Sequence, residues 1–237
     1  MTEHTVKQYD EELDGIRTRV LQMGGYVEQQ IVKAMEGLLD GDIAIIERVI
    51  ENDQRVNAQQ VELDEACTQI IARRQPAAND LRTIMSVARV VTDLERIGDE
   101  AKKIAKVARA LLQAEMSGPP RVQMKHLGTR AVEQLRKALD GLARLDMDAA
   151  AEVVKDDHEI DAEFKSVLRQ LITFMMEDPR TISRGIDVVF AAKALERVGD
   201  HAKNIAEHTI FLVNGRDVRH IGVSEVLKEV GYRPPVN

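Results

Sequence analysis

The chain has 237 residues, enough for one large domain or two small ones, each able to bury a core. Charged residues make up 31% and aromatics 3%, with no Trp, so Ala, Leu, Ile, Val and Met must fill the interior, as in packed helices rather than sheets. A formal charge of −7 argues against a general nucleic-acid binder, which needs a concentrated basic face, and leaves cation binding open.

The opening stretch, MTEHTVKQYDEELDG, is acidic and lacks the apolar core of a secretory signal. Helical periodicity then runs almost from end to end. It predicts a first helix over 5–39, in which Gly24-Gly25 is the weak point. Neither G-x-x-x-x-G-K-[ST] nor G-x-G-x-x-G occurs, so that pair reads as a packing point rather than a nucleotide loop. A second helix is predicted over 42–74. It carries Cys67, the sole cysteine, read as a buried structural thiol; no intrachain disulfide can form, which fits a reducing compartment. Pro76 turns the chain into a third helix over 79–116, and Ser117-Gly118-Pro119-Pro120 is the strongest break. Helices over 121–145, 147–177 and, past Pro179, 180–214 follow; from Gly215 onward the pattern is mixed. No uncharged run approaches the ~20 residues that span a bilayer. The expectation is a soluble, cytoplasmic protein without a transmembrane segment.

Three helices, a linker and three helices define an all-α fold of two tandem three-helix bundles, since short connections make neighbouring helices antiparallel. The expected boundaries are 1–117 for the first bundle, 118–120 for the linker, 121–216 for the second bundle and 217–237 for a tail. The halves are related. LERIGDEAKKIA (94–105) returns as LERVGDHAKNIA (195–206), and Leu39-Asp40-x-Asp42 matches Leu145-Asp146-x-Asp148 just before each middle helix. An internal duplication with a period near 104 residues accounts for both. That is too long for a solenoid repeat.

Each repeated motif places two acids at i, i+4 on one helical face: Glu95 with Asp99, and Glu196 with Asp200. Both faces are apolar upstream and charged downstream, so the acids stand where a packing stripe runs out. The middle helices repeat the feature with Asp53 and Asn57, and with Asp157 and Asp161. Counted from Pro76 and Pro179, the two sets in each hairpin lie at nearly equal distances. Antiparallel helices with ~1.5 Å rise per residue would bring them to one level. Gly98 and Gly199, each costing about 1 kcal/mol against Ala in a helix, would either let helices approach closely or leave room for an ion. Clustered carboxylates need compensating positive charge. A hard divalent cation (Mg²⁺ or Mn²⁺, with iron possible) is one source; salt bridges from Arg55, Arg96, Lys102, Arg197 and Lys203 are the other. Asn57 makes the first site the weaker. His158 and His201, each adjacent to a site acid, are expected to face solvent rather than to ligate.

At these residues the chain resembles the PhoU family, accessory regulators of phosphate-specific transport. The likeness extends through RTRVLQMGGYVEQQ (17–30), DEACTQIIARRQP (64–76), DLERIGD (93–99), RQLITFMMED (169–178) and ALERVGD (194–200). It implies two similar three-helix bundles and a metal pattern of an acid, three residues, then Asp. That pattern falls on Asp53, Asn57, Glu95 and Asp99, and on Asp157, Asp161, Glu196 and Asp200, with Mg, Mn, Fe or Zn as the metal and no organic cofactor. It also implies a negative regulator of the phosphate-starvation response. The implied partners are a sensor histidine kinase (PhoR-like) and the ATPase subunit of the phosphate ABC transporter (PstB-like), and the implied assembly is a homodimer.

Three functional readings remain open on the residues themselves. One is a regulatory adaptor whose helical faces dock partners, with metal stiffening them. Another is a metal-independent helical interaction protein. The third is a carboxylate-bridged metalloenzyme, which is disfavoured because no Glu-x-x-His pair of the ferritin-like kind occurs.

Overall fold

The structure, a computed structural model, describes residues 2–113 and 121–232. Helix α1 spans Thr2–Asp40, α2 Ile43–Arg74 and α3 Ala78–Gln113; α4 spans Arg121–Arg144, α5 Met147–Glu177 and α6 Ile182–Asn214. A 3-10 turn, Pro179–Thr181, leads into α6, and a short α7, Val223–Val230, lies in the stretch whose pattern is mixed. The six long helices thus match the periodicity to within a few residues. The Ser117–Pro120 break and residues 114–116 of the expected third helix lie outside the described residues.

Local chemistry sets the ends. Asp42 caps α2 by accepting the N–H groups of Ala44 (2.9 Å) and Ile45 (3.1 Å), and Asp146 caps α5 by accepting that of Ala149 (3.0 Å). The two caps are 104 residues apart and are therefore the true counterparts. Matching Asp40 to Asp146 by string alone slips the repeat by two residues, because a cap is defined by the N–H groups it satisfies.

Helices α1–α3 pack mutually as one bundle and α4–α6 as another. The two join along α3 against α6, supported by α1 against α4. Contacts between Glu100 and Arg197 and between Asp93 and Asn204 show that α3 and α6 run antiparallel. The α1–α4 seam is tight at one pair of related positions. A Cβ on Gly24 would stand 2.6 Å from Leu139 Cδ2, and one on Gly128 would stand 2.5 Å from Met35 Cε. Gly24 is therefore a packing point, and α1 continues through it unbroken. Helix α7 folds back on α5, burying Val226, and the Tyr232 hydroxyl donates to Glu152 at 3.2 Å.

Candidate metal centre

The repeated motif sits near the middle of α3 and of α6, where each faces the middle helix of its own bundle. The glycines explain the closeness. A Cβ at Gly98 would lie 3.0 Å from Val56 Cγ1, and one at Gly199 would lie 2.9 Å from Ile160 Cδ1. The space beside each glycine is thus filled by a branched side chain of the neighbouring helix. Of the two roles open in the sequence, close helix approach is the one realised; the glycines do not hold a void for an ion.

In the second bundle three of the four acids converge. Carboxylate oxygens of Asp161, Glu196 and Asp200 all lie within 4.8 Å of one another. Glu196 is buried, Asp161 half-buried and Asp200 exposed. Asp157 stays apart from this trio, bonded to Lys203 Nζ (2.9 Å) and to Gln134 Nε2 (3.4 Å). Lys193 pairs with Glu196. Although Asp200 as a residue keeps contact with solvent, loss of water around its carboxyl group, and then the charges of Glu196 and Asp157, push that carboxyl above its ordinary range, with Lys193 opposing and Asp161 adding to the rise. A carboxylate crowded in this way is one that a cation would relieve.

The first bundle is arranged differently. Asp53 is buried and committed to Lys102 Nζ, while Asn57 is exposed and donates to Asp53 Oδ2 at 3.3 Å. Asp53 Oδ1 is buried without a hydrogen-bond partner among the described residues. Glu95 and Asp99 are half-buried, and Arg96 lies 3.6 Å from Glu95. Burial, followed by the Asp99 charge, raises the Glu95 carboxyl; Arg96 opposes this and Asp53 adds to it. Among the described residues no three acids of the first bundle converge in this way. An all-oxygen donor set of three carboxylates fits a hard divalent ion. In the second bundle Asp161, Glu196 and Asp200 would hold it; in the first, Asp53 Oδ1 with Glu95 and Asp99 is a sparser set.

Of the five cations expected to neutralise the acids, Lys102, Lys203 and Arg96 do so. Arg197 instead reaches Glu100 across the bundle boundary at 3.3 Å, and Arg55 lies over the Tyr26 ring, 4.4 Å from its centroid. His158 is exposed, as expected, with Nδ1 2.7 Å from the Lys155 carbonyl oxygen. His201 is not solvent-facing: its side chain is 14% exposed and its Nδ1 lies 2.9 Å from Asp93 Oδ1. The cause is tertiary, because the face of α6 bearing His201 is the one that α3 covers.

That contact belongs to a polar cluster that helical periodicity does not reveal. Asp93 on α3 accepts from His201, from Asn204 Nδ2 (3.0 Å) and from His208 Nε2 (3.3 Å), all on α6. An ionised carboxylate only accepts, so each facing ring nitrogen carries the proton. Burial works to raise the Asp93 carboxyl, but the bonds from His201, His208 and Asn204 outweigh it and hold the group below its ordinary value. The signal available in the sequence is a difference between the repeats. Asp93 corresponds to Ala194, and Glu100 to His201, inside an otherwise near-identical motif.

A duplicated three-helix bundle carrying carboxylate clusters between its second and third helices defines the class. The sequence profile of the PhoU domain matches residues 20–108 and 124–209, one per bundle. The chain is 46% identical over 232 residues to the phosphate-specific transport system accessory protein PhoU homolog of Pseudomonas aeruginosa, covering 97% of this chain and 95% of that protein. It is 41% identical over 228 residues to the PhoU accessory protein of Escherichia coli, covering 96% and 94%. The crystal structure of PhoU from Pseudomonas aeruginosa superposes with a TM-score of 0.85 at 45% identity, covering 88% of this chain and 100% of that one. That of the phosphate transport system regulatory protein PhoU from Streptococcus pneumoniae gives 0.81 at 26% identity, covering 89% and 99%. This chain belongs to the PhoU family.

Proposed function

We propose that this protein is a regulatory accessory of phosphate uptake. In this reading it works in the cytoplasm and couples the ATPase subunit of the phosphate transporter (PstB-like) to a sensor histidine kinase (PhoR-like), restraining uptake and the starvation response. The family membership and the accessory role named for the relatives support it. No helix among the described residues is long and apolar enough to cross a membrane. A second copy of the chain completes the proposed assembly.

The convergence of Asp161, Glu196 and Asp200 within 4.8 Å carries the metal part of the reading. A divalent ion bound there would offset two of the three carboxylate charges, with Lys193 beside Glu196 balancing the third, and fasten α5 to α6, stiffening the faces offered to partners. The test is thermal unfolding of chelator-treated protein while Mg²⁺, Mn²⁺ or Fe²⁺ is added at matched ionic strength, wild type against Glu196→Ala/Asp200→Ala. A saturable rise in Tm, lost in the variant, is expected. No rise in wild type would leave a helical adaptor held by packing and its Lys102, Lys193 and Lys203 bridges. Binding of the purified protein to the kinase and to the ATPase subunit tests the coupling, and binding to neither removes it.

A further inference from the structure

The first bundle carries a groove that the acidic sites do not use. Between α1 and α2 lies a cavity of about 480 Å³, a size typical of small-molecule sites. Tyr26 lies against Arg55 at one end of it. Seven residues along each antiparallel helix, at ~10 Å, stand Lys33 and Arg48. Gln29, Gln30 and Asn52 line the space between.

The charge of this wall is unusual in a chain of formal charge −7. Among the described residues no carboxylate lies within ion-pair distance of Arg48 or Arg55, whereas Lys33 is paired with Glu36 at 2.6 Å. Asp42, the one acid among the described residues lining the cavity, has its carboxylate turned to the N–H groups of Ala44 and Ile45. Two polar atoms of the wall are buried without hydrogen-bond partners among the described residues: Tyr26 Oη and Oε1 of Gln30, a residue only 4% exposed.

The duplication supplies a control. At the corresponding positions, 104 residues later, Gln29, Arg48, Asn52 and Arg55 are replaced by Glu133, Glu152, Asp156 and Glu159. Arg130 and Lys137 bridge to Glu159 and Asp156, and the cavity there shrinks to about 60 Å³. The same hairpin therefore forms with acids and a closed groove. The open, basic version in the first bundle is not something the fold requires.

We propose that this groove binds a phosphorylated small molecule, its phosphoryl group between Lys33 and Arg48 and its polar body along Gln29, Gln30 and Asn52. Guanidinium and ammonium groups lining one wall suit phosphoryl oxygens, and the amides offer donors and acceptors to hydroxyl or ring groups. The space far exceeds one orthophosphate ion. The groove lies on the α1-facing side of α2, away from Asp53, and needs no metal.

Isothermal titration of the full chain at about 150 mM salt with EDTA, using ATP, pyrophosphate, inorganic phosphate and sulfate as probes, tests this. One ATP per chain should bind saturably, with inorganic phosphate at least tenfold weaker and sulfate failing to compete. Lys33→Gln, Arg48→Gln and Gln30→Leu should each weaken ATP at least tenfold while retaining the wild-type helical signal and Tm. Glu196→Ala/Asp200→Ala should leave it unchanged, which separates this site from the metal reading. Absence of saturable binding, competition by sulfate, phosphate binding as tightly as ATP, or indifference to all three groove substitutions would each overturn the proposal.

Discussion

Gly98→Ala adds one methyl group where α3 meets α2, and two opposing effects follow. In a free helix Ala is favoured over Gly by about 1 kcal/mol. Here the new Cβ would stand 3.0 Å from Val56 Cγ1 and 3.5 Å from its Cβ and Cγ2. Val56 is fully buried, and a helical valine keeps essentially one χ1 rotamer, so it cannot turn aside. The helices must separate instead, and overpacking of this kind costs about 1–3 kcal/mol. Packing should win, leaving a net loss of roughly 1 kcal/mol. Val56→Ala alone also destabilises, by opening a cavity. In that background the Gly98→Ala methyl enters vacated space and becomes stabilising, so the pair should couple by about 1–2 kcal/mol. Urea unfolding of the four proteins, followed by helical circular dichroism, measures the cycle. If Gly98→Ala stabilises the parent chain, or the two changes simply add, the close-approach account of the glycine is wrong.

Two further outcomes concern buried acids. Glu207 on α6 is pushed up to about 7, first by burial; Lys203 and Arg219 oppose the rise, while Asp157 and Asp217 add to it. Because the folded value lies above the unfolded one, its stability contribution is full below about pH 4.5 and is lost as pH rises towards 7 and beyond. Glu207→Gln should therefore gain on wild type by on the order of 2–3 kcal/mol between pH 5 and 8, and parallel Tm profiles would contradict this. Asp93 has the opposite sign, its folded value being depressed below 3.8. Its contribution is present above that value and lost as pH falls through the lower folded one. Asp93→Ala, which strands two histidines and Asn204, should cost about 2–4 kcal/mol at neutral pH. The gap from wild type should narrow in acid, and a loss of equal size at pH 3 and pH 7 would refute the charge account.

The six long helices and the duplication are legible along the chain, because they rest on local chemistry: the 3.6-residue spacing of Ile, Leu and Val and the breaks at Pro76 and Pro179. The caps at Asp42 and Asp146 came from the structure, which corrected the repeat register by two residues. The sequence also placed the acids of each hairpin at one height, since that follows from counting residues along antiparallel rods. Which acids meet depends on packing. Asp161, Glu196 and Asp200 converge while Asp157 and Asp53 are drawn off by Lys203 and Lys102, because long lysine side chains reach carboxylates whose positions periodicity does not specify. Packing likewise decided that His201 faces Asp93 rather than water, and that one α1–α2 groove is open while its duplicate is closed. His201 meets Asp93, 108 positions away, because the two bundles dock along α3 and α6. The bonds of Lys203 to Asp157 and Lys102 to Asp53 span 46 and 49 positions within one bundle, and no local pattern encodes contacts at either range.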